Sequence, residues 1–182
     1  MVTTRLTLKY IIISMIAVFS TFFFHELTHW VTGELLGYKM TMTLNSVSLT
    51  EGKYLKSWHE TLVSAAGPFF TIIQASTFYI IMRKNKNLLL YPFLFVPLYM
   101  RILAGVMNFI NLNDEGRISN ALGIGTFTLS ILVCLMLLYF VIKISQKNNY
   151  IVKFQITNLL LTMLFSSVLI LVDQFLHFKI IN

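Results

Sequence analysis

The sequence predicts an all-α integral membrane protein of about five transmembrane helices, with one short β-hairpin after the first. Three observations carry this prediction. The 182-residue chain is 57% hydrophobic and only 12% charged, with a mean hydropathy of +0.76, whereas soluble domains carry about 25% charged residues. Several apolar stretches approach or exceed the roughly 20 residues that a helix needs to cross a bilayer. Lysine and arginine gather in short clusters between those stretches, as anchors at a membrane surface do. That clustering argues against reading the net charge of +7 as a nucleic-acid surface. Residues 1–182 are expected to form a single membrane domain in contact with the lipid bilayer, with no room for an appended soluble domain.

The first span begins with the uncharged run from Tyr10 to Phe24 and continues to about Gly37. Arg5 and Lys9 precede it as they would a signal peptide, but no small-residue cleavage site follows, so an uncleaved span is expected. In "YKMTMTLNSVSLT" the period changes. Met40, Met42 and Leu44 alternate with Thr41, Thr43 and Asn45, and Val47 and Leu49 with Ser46 and Ser48, which predicts a surface hairpin over 38–50. A second span covers Trp58 to Met82 and ends at the basic cluster "RKNKN". Leu88 to Leu112 is long enough for a third, with Pro97 as the expected first residue of its true helix. A fourth is expected from about Ile118 to Ile144 and a fifth from about Ile151 to Phe175. The only cysteine, Cys134, lies inside an apolar run, so no intrachain disulfide can form.

The chemistry concentrates in "FFFHELTHW". His25, Glu26 and His29 spell H-E-x-x-H. Two histidines at i and i+4 share one helical face and can bind zinc, while the glutamate beside the first can take a proton from water. Polar residues can also simply mark a helix end, but ionisable groups inside a bilayer are costly and usually functional. From Tyr10 to His25 is about 22 Å of helix, so His25 lies within a hydrocarbon core about 30 Å thick, in the half nearer the helix's C-terminal end. Trp30 and Trp58 are expected at the membrane surface on that side.

A third ligand is needed. Followed up and down through the membrane, the chain returns to the side of His29 at "NFINLNDEGRIS", whose Asp114 and Glu115 are the only adjacent acids in the sequence. Asp114 is favoured, because a short carboxylate next to Asn113 suits a tight turn, with Glu115 as the alternative. Consecutive helical residues point about 100° apart, which would leave Glu115 facing the headgroups or supporting the site from behind.

Together "HELTH", "SAAGPFF" with Gly67-Pro68, and "NLNDEG" resemble the three ordered motifs of the site-2 protease family of intramembrane zinc metalloproteases. The resemblance covers residues 10 to about 125; the two C-terminal spans, about 118–177, add nothing to it. The third motif departs from the family pattern, with no proline and with Glu115 before Gly116. The resemblance implies zinc held by His25, His29 and an acid at 114 or 115, with Glu26 as general base. It further implies that Asn108 and Asn111 are candidates to bind a substrate carbonyl, although either could equally cap and turn the chain.

On this reading the chain is an intramembrane zinc endopeptidase, with Zn2+ as cofactor. It would act on peptide bonds in or near transmembrane segments of other membrane proteins, and the hairpin could hold an unwound segment by strand addition. No PDZ-like module is present, so substrate choice would rest on the membrane core or on a partner protein. The alternative is a non-proteolytic, metal-binding membrane protein with a role in transport, assembly or structure.

The remaining polar residues have blander expectations. On a straight helix Arg101 would lie about 20 Å from Asp114 and outside the metal shell, snorkelling or pairing with an unidentified acid. Gly33 and Gly37 form a small-xxx-small pattern that would admit another helix. His59, Glu60, Asp173 and His177 are expected at the membrane interface. A cell membrane is the expected location. Eight cations on one side (Arg5, Lys9, Arg83, Lys84, Lys86, Lys143, Lys147, Lys153) face five on the other (Lys39, Lys53, Lys56, Arg117, Lys179). That imbalance predicts a cytoplasmic N-terminus, with the metal toward the outside.

Overall fold

A computed structural model describes residues 7–176 and 179–181 of the chain; Arg5 and His177 lie outside the described residues. Among the described residues five helices are long and apolar enough to cross a membrane, as in a multi-pass membrane protein. Helix α1 (Leu8–Leu35) starts at Thr7, whose hydroxyl caps the amide of Tyr10. Its 28 residues span about 42 Å. Strands β1 (Met40–Met42) and β2 (Val47–Leu49) then pair antiparallel, with Met40 opposite Leu49 and Met42 opposite Val47. Helix α2 (Ser57–Lys84) leads through a 3₁₀ turn (Leu88–Leu90) into α3 (Tyr91–Met107). A short helix α4 (Asp114–Ala121) and two long ones, α5 (Thr128–Asn148) and α6 (Val152–Leu176), complete the bundle.

The hairpin forms where the alternation predicts it, but it is not wholly a surface feature. Met40 and Met42 are fully buried, and β1 is tied on its second edge by the Met42 amide donating to the Ile181 carbonyl (3.0 Å). Among the described residues no strand pairs with the outer edge of β2. Gly33 serves this packing: a Cβ there would stand 2.5 Å from the Met40 side chain. A strand, rather than the expected helix, uses the gap. Gly37 instead ends α1 in a left-handed conformation (φ +85°).

Two span boundaries differ from expectation. Pro92, not Pro97, sits in the first turn of α3, and Pro97 lies inside the helix. Pro97 cannot donate to the carbonyl of Phe93; Gln74 Nε2 of α2 donates to that oxygen instead (3.0 Å) and also to Thr21 Oγ1 of α1 (2.8 Å). A half-buried amide thereby repairs the break and joins three helices. The predicted fourth span, 118–144, is in fact two elements. Gly123 (φ +68°) and Gly125 (φ +90°) adopt left-handed backbone between α4 and α5, so residues 114–121 form a separate helix that is not a span. The third span likewise stops at Met107 rather than Leu112.

The apolar core divides along the bundle. At one end Tyr10, Met82, Tyr91, Leu94, Ile144 and Phe154 pack together, where Tyr10 donates to Asn158 Oδ1 (2.6 Å) and Tyr91 to Gln155 Oε1 (2.5 Å). Nearer the middle, Ala17, Val18, Phe22, Val96, Met100 and Leu169 lock α1, α3 and α6. The H-E-x-x-H turn stands directly beyond that second cluster.

Candidate metal centre

His25 and His29 are one helical turn apart on the buried face of α1. Their placement follows from sequence: the i, i+4 spacing puts both on one side, where Phe22 is buried on the same cleft wall while Phe24 is exposed. The structure adds Asp114, the first residue of α4. Its Oδ2 is 3.3 Å from His25 Nε2 and 3.3 Å from His29 Nε2, and the two Nε2 atoms are 3.2 Å apart. Ligand bonds of about 2.0–2.1 Å in a tetrahedron give edges of about 3.3–3.4 Å. The three atoms therefore form a triangle of the size a small tetrahedral ion needs, and these residues could hold a metal.

The ring of His29 is oriented from behind. Its Nδ1 lies 2.6 Å from the Val63 carbonyl of α2, so Nδ1 carries the proton and Nε2 keeps its lone pair for a ligand. His25 Nδ1 is buried with no hydrogen-bond partner among the described residues. Asp114 lies outside the spans. Burial opposes its ionisation, but hydrogen bonds and charge from the two histidines hold its carboxyl well below the usual range.

Gly67 explains how α2 comes so close. A Cβ at Gly67 would overlap His25 Cε1 and His29 Nε2 and would stand 2.6 Å from His25 Nδ1. The next residue, Pro68, has no N–H, so the Ser64 carbonyl one turn back lacks its helical donor. Ser64 lines the cleft beside the triad.

That cleft has a volume of about 510 Å³ and is walled by His25, Glu26, His29 and Asp114, with Tyr54, Arg101 and Arg117 around them. Asn45, Ser46 and Val47 bring the hairpin turn and the start of β2 to its rim. Glu26 is buried on this wall, so the three motif residues and Asp114 share one cavity. Glu115 does not: it is turned away from the triad and paired with Arg101, Nη1 to Oε1 2.7 Å.

Arg101 corrects a straight-helix expectation. Because α3 ends at Met107 and the chain turns back, Arg101 is brought to the cleft wall rather than left about 20 Å away. Asn108 is buried, its Oδ1 accepting from the Asn113 amide (2.7 Å) and its Nδ2 donating to Ser130 Oγ (3.1 Å). It shapes the turn before Asp114. Asn111 is exposed, outside the residues that line the cleft.

Sequence reasoning missed two supports. Asp173 of α6 accepts from the Leu44 amide (2.9 Å) and from Thr43 Oγ1 (2.9 Å), clasping the hairpin over the cleft. Trp30 Nε1 and the Glu34 carboxylate bind the two sides of Met40, accepting from its amide in the case of Glu34 (2.8 Å) and donating to its carbonyl in the case of Trp30 (3.2 Å). A lone carboxylate in an apolar helix was the available signal for Asp173. His59 accepts or donates at Tyr38 Oη (2.5 Å), away from the triad. No protein-family model matches the chain, and no curated protein or solved structure matches it.

Proposed function

We propose that the chain is an intramembrane zinc endopeptidase. One observation carries the reading: two histidines of a membrane-length helix, a carboxylate from a distant helix and a buried glutamate converge on a single polar cleft. The order of "HELTH", Gly67-Pro68 and "NLNDEG", similar to the site-2 protease family, agrees with it.

His25, His29 and Asp114, which all line the cleft, would hold Zn2+. Zinc bound there would polarise a scissile carbonyl and lower the pKa of water. Glu26 takes the proton of the attacking water and returns it to the departing amine. The Val63 carbonyl keeps His29 in the ligating tautomer, and Gly67 keeps the wall flat against both rings. The substrate would be a membrane segment of another protein, unwound so that its backbone lies extended. β2 offers it an edge for strand addition at the cleft rim, while the far edge of β1 is taken by Ile181.

The test compares wild type with Glu26→Gln, both purified in detergent after growth in zinc. Wild type should hold one zinc per chain, and the variant should match it. Glutamine keeps the size of the side chain but loses the base, which costs about 10²–10⁴ in rate. Cells carrying the variant should trap uncleaved membrane proteins by cross-linking, and wild type should generate new N-termini within membrane segments. Equal zinc with identical N-termini in both would instead favour a non-proteolytic metal-binding membrane protein.

A further inference from the structure

We propose that the buried Arg101–Glu115 ion pair is a latch that positions Asp114 at the metal site, so that metal retention depends on both partners. The inference rests on the metal-centre reading above and assigns the two residues a positioning role.

Glu115 is 2% exposed and Arg101 3%, with Nη1 and Oε1 2.7 Å apart. Two charges withdrawn this far from water are costly unless paired. Their surroundings sharpen the point: Arg101 lines the polar cleft, whereas Glu115 lines a separate apolar groove of about 700 Å³ formed with Pro68, Phe69, Ile118, Leu129 and Val133. The carboxylate therefore has Arg101 on one side and hydrocarbon on the other. It has no alternative cation among the described residues.

Asp114 and Glu115 are consecutive in the first turn of α4, and their side chains leave the helix about 100° apart. One reaches the histidines of α1 and the other reaches Arg101 of α3. Two anchors in different directions fix the rotation of a short helix about its axis. Turning α4 so as to withdraw Asp114 would pull Glu115 off the guanidinium, and the reverse also holds. The segment before α4 is tied down in the same sense, with Asn113 Nδ2 donating to the Ala104 carbonyl (2.8 Å) and Asn108 Oδ1 receiving the Asn113 amide. These neutral bonds place the turn. Along α4 the Leu129 amide donates to Ser119 Oγ (3.2 Å), and the Arg101–Glu115 pair is the charged contact that opposes rotation of the helix at its Asp114 end.

Removing one partner leaves a buried, unpaired charge, and relief comes through movement of α4 toward water. Removing both charges does not have this effect. Residues that orient metal ligands from behind typically contribute about 10–100-fold in metal affinity.

The experiment measures zinc affinity by chelator competition in detergent-purified protein for wild type, Arg101→Gln, Glu115→Gln and the double variant. Size-exclusion profile and helicity are recorded for each. Either single change should weaken zinc about 10–100-fold, and the double variant should recover to within about threefold of wild type, because no charge is left stranded at either position. Should a single variant fail to fold, the double variant decides: near-normal zinc supports the latch and weak zinc overturns it. Single variants that fold and bind zinc like wild type also overturn it, as does a double variant no better than the singles. If wild type itself takes up no zinc, or Asp114→Ala binds it equally well, the metal-centre reading fails and the latch with it. Normal wild-type zinc with unchanged single variants removes the latch alone.

Discussion

Gly67→Ala tests the site at its tightest point. A methyl group on this backbone would stand 2.6 Å from His25 Nδ1 and would overlap His25 Cε1 and His29 Nε2. Ordinary contact begins at 3.4 Å, so relief of at least about 0.8 Å is required, the difference between 3.4 and 2.6 Å. The imidazoles cannot easily supply it. His29 is held by the Val63 carbonyl at 2.6 Å, and both rings sit between α1 and α2. Metal sites tolerate displacements of only about 0.2 Å, so a shift several times larger should lower zinc affinity at least about tenfold. Overpacking of this kind costs roughly 1–3 kcal/mol of stability. The control is Gly105→Ala in α3, where the nearest atom to a new Cβ is Ser130 Cβ at 3.6 Å. That change relieves a helical glycine and should stabilise the protein by roughly 0.5–1 kcal/mol. Thermal unfolding in detergent and zinc titration distinguish the two. Wild-type zinc affinity in Gly67→Ala would refute the argument that this glycine makes room for the metal-binding face.

Other perturbations have equally definite outcomes. On the proposed zinc site, Asp114→Ala should abolish zinc uptake while leaving the size-exclusion profile of the protein intact, since only one of the three candidate ligand atoms is lost; metal analysis checks it. Asp173→Ala removes two hydrogen bonds to Thr43 and Leu44 and should loosen the hairpin by roughly 1.5–3 kcal/mol. The signature is faster hydrogen exchange over residues 40–49 with little change in α2. Gln74→Leu strands the Phe93 carbonyl beside Pro97 and leaves Thr21 without its donor. A cost of about 1–3 kcal/mol should appear in thermal unfolding.

The sequence alone determined the membrane architecture. Long apolar runs have few physical solutions in lipid, where each span must satisfy its own backbone, so five spans and their order could be read directly. The hairpin was legible because alternation at Met40–Leu49 has period two in a chain otherwise helical. Pairing of His25 with His29 was legible because four-residue spacing is local geometry. Boundaries were less legible. The predicted fourth span fused α4 to α5, since apolar composition continues through Ile124 while the decisive event, left-handed backbone at Gly123 and Gly125, has no hydropathy signature.

What only the tertiary structure decided is which distant groups meet. Asp114 was chosen over Glu115 on turn chemistry, and in the fold Asp114 faces both Nε2 atoms while Glu115 turns to Arg101. The sequence allowed Arg101 an acid partner but not its identity as Glu115, because a helix assumed to continue past Met107 carries Arg101 away from the site. The Val63 carbonyl behind His29 was hidden as well, as was the contact of Gly67 with both rings. Spacing along a chain predicts neighbours within one helix. Contacts between helices depend on where each ends and how it is rotated, and here those are set by packing and by a few buried polar bonds.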